Sequence, residues 1–238
     1  MIMFRNIMIK TLLVLACFSA SIFGILSLGY GSDVVSVAMI FKTVQDVTRK
    51  SLSTEWVKAS KGENLVSGDQ LKTGQRSLAV VKFLDNSILR VREQSVLTIS
   101  GEGSRGSAIK TIQLNGGAVG FDVQKQHENE LFQLTSPTSV ASIRGTKGKW
   151  SGGRGNDTLI VTEGLVNLKN NATNQSVNVP GGFIGFSNQD GSVSSRKATD
   201  QELADASIIA SNNSLNELDL QFKDPQGQSK ELKLKYNR

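Results

Sequence analysis

Across residues 65–193 nearly every short alternation of apolar and polar residues is closed by a glycine, a proline or an Asp/Asn-Ser turn, and no helical period extends through it. Corners fall at Gly68, Gly74, Asp85-Asn86-Ser87, Asn115-Gly116-Gly117, Gly164, Pro180-Gly181-Gly182 and Asp190-Gly191-Ser192. A chain interrupted this often builds short extended segments. With 23 glycines against 3 prolines and few aromatics, that pattern predicts an all-β body: a sandwich, a barrel or a solenoid. The corners are unevenly spaced, so no repeat follows from sequence alone.

Individual segments are legible. Val34 to Phe41 reads as a first strand, and Leu78 to Phe83 and Ile88 to Val91 flank the Asp85-Asn86-Ser87 turn, where Asn86 tolerates a left-handed backbone. Val96 to Ile99, Ile109 to Leu114 and Val119 to Val123 follow, the last two read as a pair parted at Gly116-Gly117. Gln124 to Glu130 is a polar loop. The tail changes character: Thr199-Asp200-Gln201-Glu202 has the form of a capping box before a short helix ending near Asn212. Period two on both sides of Asp224-Pro225-Gln226-Gly227 then predicts a β-hairpin. The expected organisation is a leader over 1–32, a β domain over 33–193, and a helix-plus-hairpin appendage over 194–238.

The leader has Arg5 and Lys10 ahead of an uncharged, largely apolar run from Thr11 to Leu28. Gly31 and Ser32 mark a processing site for an export signal. At about 18 residues the run also reaches the lower limit for a membrane anchor. Val14-Leu15-Ala16-Cys17 offers a third route, lipidation at Cys17, although only six residues separate Lys10 from that cysteine. The expected location is therefore the periplasm or cell envelope, with anchored and lipidated forms as alternatives. Cys17 is the sole cysteine, so an exported mature chain has no disulfide and no thiol nucleophile.

Catalytic chemistry finds little to work with. His127 is the one histidine and sits in the polar loop. Without a second His or a mature Cys, most zinc sites and Cys/His catalysis are excluded. No serine occupies a G-x-S-x-G elbow. Gly145 to Trp150 does not fit a phosphate loop, because Ile143 stands where glycine is needed and Trp150 where Ser or Thr is needed. No enzyme activity, cofactor, metal or nucleic-acid partner is expected. The net charge of +6 is mildly basic, and Leu131 to Asn156 contains no acid. Arg144, Lys147, Lys149, Trp150 and Arg154 in that segment are the candidate binding residues, as a basic, Trp-bearing loop for an anionic glycan, a lipid surface or an envelope protein. The competing reading has Arg144 satisfying carbonyls at a corner and the other cations solvated.

Motifs add a resemblance. Gly68-Asp69-Gln70-Leu71-Lys72-Thr73-Gly74, the run Phe132 to Thr146 with Pro137 and Arg144-Gly145-Thr146, and Glu163-Gly164 before Leu165 are similar to the signature segments of the FecR domain family. The resemblance implies a twisted β-solenoid, with a jelly roll or β-sandwich as the alternative. It also implies structural roles for Pro137, Arg144, Gly145, Thr146, Glu163 and Gly164. FecR itself relays an iron-siderophore signal to a sigma factor, using a cytoplasmic anti-sigma segment that the ten residues before the apolar run do not supply. The expectation is a stand-alone, non-enzymatic envelope binding or scaffolding module. The alternative is a periplasmic signal-transduction sensor that relays to a membrane partner controlling a sigma factor.

Overall fold

The computed structural model describes residues 36–52, 54–104, 107–153, 155–210, 215–223 and 229–237. Cys17, Gly31, Ser32, Arg154, Asn212 and the expected turn at Asp224-Pro225-Gln226-Gly227 lie outside the described residues. In chain order the strands are β1 (Ser36–Val44), β2 (Val47–Lys50), β3 (Val57–Lys58), β4 (Asn64–Val66), β5 (Gln70–Thr73), β6 (Leu78–Phe83), β7 (Ile88–Val91), β8 (Val96–Ser104) and β9 (Ser107–Val123). They continue with β10 (Leu131–Thr135), β11 (Ser139–Ile143), β12 (Thr146–Gly152), β13 (Asp157–Glu163), β14 (Leu165–Asn170), β15 (Ser176–Pro180), β16 (Phe183–Ser187) and β17 (Val193–Lys197). Helix α1 (Asp200–Ala210) and a separate hairpin of β18 (Leu215–Lys223) and β19 (Ser229–Asn237) complete the chain. The all-β class is what the sequence forms, with one short helix.

Pairing resolves the strands into two open sheets. Sheet I runs β4–β1–β6–β7–β9–β12–β13–β16–β17. Sheet II runs β3–β2–β5–β8–β9–β10–β11–β14–β15. Neighbours are antiparallel except for β9–β10. The chain passes repeatedly from one sheet to the other at glycine corners: β11 into β12 at Gly145, β13 into β14 at Gly164, β15 into β16 at Gly181-Gly182. Sheet I also extends beyond residue 193, because β17 pairs with β16 after the Asp190-Gly191-Ser192 turn.

One strand belongs to both sheets. The first part of β9 pairs with β8 and β10 in sheet II, and its last part pairs with β7 and β12 in sheet I. The sequence suggested a strand pair parted at Gly116-Gly117. Gly117 instead has φ +109° and bends a continuous strand from one layer into the next. A Cβ there would lie 2.6 Å from the Ser95 Cα, so both the angle and the space require glycine.

Alternation along each strand sends one set of side chains inward. Leu71, Leu97, Ile112, Phe132 and Val166 from sheet II meet Val81, Leu89, Phe121, Trp150 and Leu159 from sheet I in a single buried cluster. Phe83 and Phe132 touch edge to face, with centroids 5.2 Å apart. At one end this core is closed by a polar plug. Lys110, only 5% exposed, donates from Nζ to Asp85 Oδ2 at 2.6 Å and Gln126 Oε1 at 3.1 Å. Burial alone would raise the Asp85 carboxyl, but hydrogen bonds from Lys110, Gln126 and the Ser87 N–H outweigh it and hold it below its ordinary 3.8.

Helix α1 lies on the outer face of sheet I, against β9, β12 and β13. Ala206 and Leu203 pack on Ile160, Ile184 and Phe186. Gly120 admits the helix this closely: a Cβ there would stand 2.8 Å from the Ile209 carbonyl carbon. The expected capping box forms, with the Thr199 N–H donating to Glu202 Oε2 at 2.8 Å and the Glu202 N–H to Thr199 Oγ1 at 3.3 Å. At the other end the buried Arg90 guanidinium donates to the Ala210 carbonyl at 2.5 Å, a cation at the negative end of the helix.

Candidate functional site

The motif residues build corners. Gly145 takes φ +62° and donates its N–H to the Gln124 carbonyl at 3.3 Å, and Arg144 Nε donates to the Gln126 carbonyl at 3.1 Å. Thr146 is buried, and its hydroxyl lies 3.1 Å from both the Arg144 and Leu165 carbonyls. Gly164, with φ +92°, packs against this corner so closely that a Cβ would sit 2.7 Å from the Gly145 carbonyl oxygen. The Arg-Gly-Thr and Glu-Gly motifs, far apart in sequence, are therefore two halves of one contact. Glu163 also reaches Lys147, at 2.9 Å on the surface, and this hydrogen bond keeps the lysine above its usual range.

The candidate basic loop does not assemble as a Trp-bearing surface. Trp150 is fully buried in β12, paired opposite Val119 and Leu159. The Trp-bearing loop that the sequence suggested fails for a packing reason. Gly148 leaves a gap that the Phe121 ring fills, 2.8 Å from where a Cβ would stand; the pairing with β9 runs unbroken, the pairing with β13 shifts by a residue between Lys147 and Gly148, and Trp150 is buried. Arg144 serves a corner carbonyl, Lys147 pairs with Glu163, and Lys149 lies on the outer row of sheet I opposite Gly120 and Ile160. Arg154 is not among the described residues.

A different polar assembly lies at the Pro137 end, unseen in the sequence. Ser136 opens the turn: its hydroxyl accepts the N–H groups of Thr138 and Ser139 at 3.0 and 2.9 Å and donates to the buried Asp157 carboxylate. Ser139 Oγ donates to the same oxygen at 2.5 Å, and the Gly153 N–H reaches the other at 3.0 Å. Asn170, equally buried, donates to Ser187 Oγ and the Asn188 carbonyl and accepts from the Ala172 and Thr173 N–H groups. A cleft of about 340 Å³ opens above these groups, lined by Pro137, Thr138, Gly153, Gly155, Asn170, Ala172, Asn188 and Gln189. Each Asp157 oxygen already holds an internal donor, so the carboxylate ties three loops together rather than facing the cleft as a base. Among the described residues no group of three or more His, Cys, Asp or Glu converges as a metal would need.

The rims are the remaining accessible backbone. β3 and β4, at one end of the two sheets, are two and three residues long. β17 carries Arg196 and Lys197, and Arg196 is engaged by Glu202 at 2.7 Å. β15 is a neutral Ser-Val-Asn-Val-Pro strand paired only with β14. The bonds Asn170 N–H to Gln175 carbonyl and Gly181 N–H to Gly164 carbonyl, both 2.8 Å, set the alternation between these strands. By that alternation the N–H and C=O groups of Ser176 and Asn178 face outward from the sheet.

These elements define a class: an open two-layer β module whose polar clusters are internal and whose accessible backbone lies on its rim. Residues 69–167 match the family model described as FecR protein, over the stretch that holds the Phe132 to Thr146 and Glu163-Gly164 motifs. Two crystal structures of a candidate anti-sigma factor from Parabacteroides distasonis ATCC 8503 are similar at 12% identity, with TM-scores of 0.48 and 0.49. The similarity covers 57% of this chain and 62% of theirs, so the chain spans less than two thirds of their length. No curated protein matches the chain.

Proposed function

We propose that this chain is an exported signal-transduction module that works by contact with a protein partner rather than by catalysis. The FecR domain over residues 69–167 is the observation that carries this reading. It favours the regulatory sensor over the general envelope scaffold that the sequence first suggested. The internal saturation of Asp157 and Asn170 supports it, because the strongest polar cluster holds loops and exposes no reactive group. The partner adds a strand to the edge of sheet II at β15, where Ser176 and Asn178 turn unpaired backbone groups outward. The other rims are too short or too cationic to be equally receptive. Periplasmic or envelope location is part of the proposal, through the leader.

The test is a photo-reactive residue at Asn178 in intact cells, compared with the same residue at Ser194 on β17. The expected result is a discrete protein adduct from Asn178 alone, with a membrane-spanning partner whose deletion changes transcription. Adducts only with cell-wall material, or none that depend on position, would overturn the relay and return the scaffold reading.

A further inference from the structure

We propose that the rim around β3 and β4 docks on an anionic lipid surface. The open ends of both sheets meet here, since β4 is the last strand of sheet I and β3 the last of sheet II. The β3–β4 turn comes back to β1: the Gly62 N–H donates to the Ile40 carbonyl at 2.8 Å and the Ile40 N–H to the Glu63 carbonyl at 2.9 Å. Arg49 on β2 ties the two sides together through Glu63, at 2.8 Å. Around this seam large apolar side chains face water, Phe41 at 46% exposure, Trp56 at 38%, Val57 at 46% and Leu52 at 86%. Phe41 and Trp56 are the only aromatic residues among the large apolar side chains exposed on the described surface.

Charge is biased in the same place. Arg49 takes up Glu63 and, at 3.8 Å, Asp69. Between residues 41 and 72 that leaves Lys42, Lys50, Lys58, Lys61 and Lys72 against Asp46 and Glu55. From residue 73 to residue 210 cations and acids nearly balance. Among the described residues none of these lysines has a carboxylate partner, and all are half-buried or exposed. Lys61 instead holds its Nζ 5.8 Å from the centre of the Phe41 ring. Lys58 and Lys72 both pair with Thr48, which sets two cations in one row beside Trp56 and Val57.

This mixture selects a bilayer. Tryptophan settles at the headgroup level. Lysine stems lie along apolar surface while their ammonium groups reach lipid phosphates. A protein interface disfavours lysine and favours arginine, and the one arginine here is taken up by Glu63 and Asp69. A soluble anionic polymer would meet the lysines but offer nothing apolar to Leu52, Trp56 and Val57. The course of the chain agrees. The uncharged run from Thr11 to Leu28 ends eight residues before Ser36 opens β1, a reach of at most about 27 Å, and Phe41 belongs to that same strand. The inference rests on the envelope location proposed above. It is independent of the β15 edge, which closes the opposite end of sheet II.

The test uses the full chain with phosphatidylcholine vesicles that carry phosphatidylglycerol and a lipid brominated near the headgroup end of its acyl chains. Trp150 is fully buried, so bromine should quench the Trp56 emission alone, and Trp56→Phe should lose the quenching. Quenching should disappear when phosphatidylglycerol is left out. The quadruple variant Lys50→Gln, Lys58→Gln, Lys61→Gln, Lys72→Gln should need at least about tenfold more anionic lipid for half-maximal quenching, with unchanged circular dichroism. Should that variant misfold, Lys58→Gln alone should still shift the midpoint about threefold. A Trp56 that stays unquenched, or is quenched equally without anionic lipid, would overturn the proposal even where the leader holds the chain on the vesicles. So would a folded quadruple variant with parental quenching. Location is read separately, by alkaline phosphatase fused to the C-terminus in cells. Phosphatase activity together with an unquenched Trp56 rejects the lipid-docking rim and keeps the location, whereas a silent fusion rejects the location itself.

Discussion

Trp150 is the residue at which sequence and structure part most sharply. Its neighbours Lys147, Lys149 and Arg154 made it look like a surface anchor. The strand's alternation instead delivers it to the core, opposite Val119 and Leu159. The misreading has a local cause: the sequence shows glycine at 148 and cations on either side, and not the Phe121 ring that supplies the missing volume from the next strand. Trp150→Ala should therefore destabilise the fold by about 3–5 kcal/mol in urea unfolding. A loss below about 1 kcal/mol would mean that the side chain is not packed as described. Asn86 shows the opposite case, since its φ of +66° at the β6–β7 turn follows from its chemistry alone. Lys110, Asp85 and Gln126 could not be read as a unit, because a buried ion pair between residues so distant in sequence leaves no local pattern. Asp157 and Ser136 were hidden in the same way, among many polar residues of unremarkable spacing.

At the scale of elements, α1 was legible because a capping box is a local device, complete within the four residues from Thr199 to Glu202. Its attachment was not, since Arg90 comes from a strand that only the fold brings to the C-terminal end of the helix. The Arg196 guanidinium, followed by the Thr199 N–H, holds the Glu202 carboxyl down from 4.5 to about 2. A carboxylate depressed in the folded state contributes stability that is complete above its unfolded value and disappears as pH falls through its folded one. The contribution of Glu202 to the attachment of α1 should accordingly be undiminished above about pH 4.5 and fade as pH approaches 2. Hydrogen exchange of the α1 amides measures this, and Glu202→Gln should give faster exchange at neutral pH with no further change down to pH 3. Exchange in the parent that ignores pH over this range would contradict it. β9 was misread as two strands for a related reason. Asn-Gly-Gly is a hairpin signal in sequence, but the layer beyond it gave the bend a place to continue.

For the whole molecule, glycine punctuation pointed to the all-β class, and the motifs pointed to the stretch that the FecR family model matches. The division into two sheets was not available, because it depends on which corner leads to which layer. Burial explains why the layers act together: one cluster draws side chains from both, and β9 hydrogen-bonds into each. Thermal unfolding of the body should then be a single transition, with calorimetric and van't Hoff enthalpies equal. Two separable transitions within residues 36–210 would show that the layers melt independently. The same continuous thread forbids any clam-like opening. The proposed relay would then run over the outer surface of the body, with no sliding of one leaf over the other to carry it.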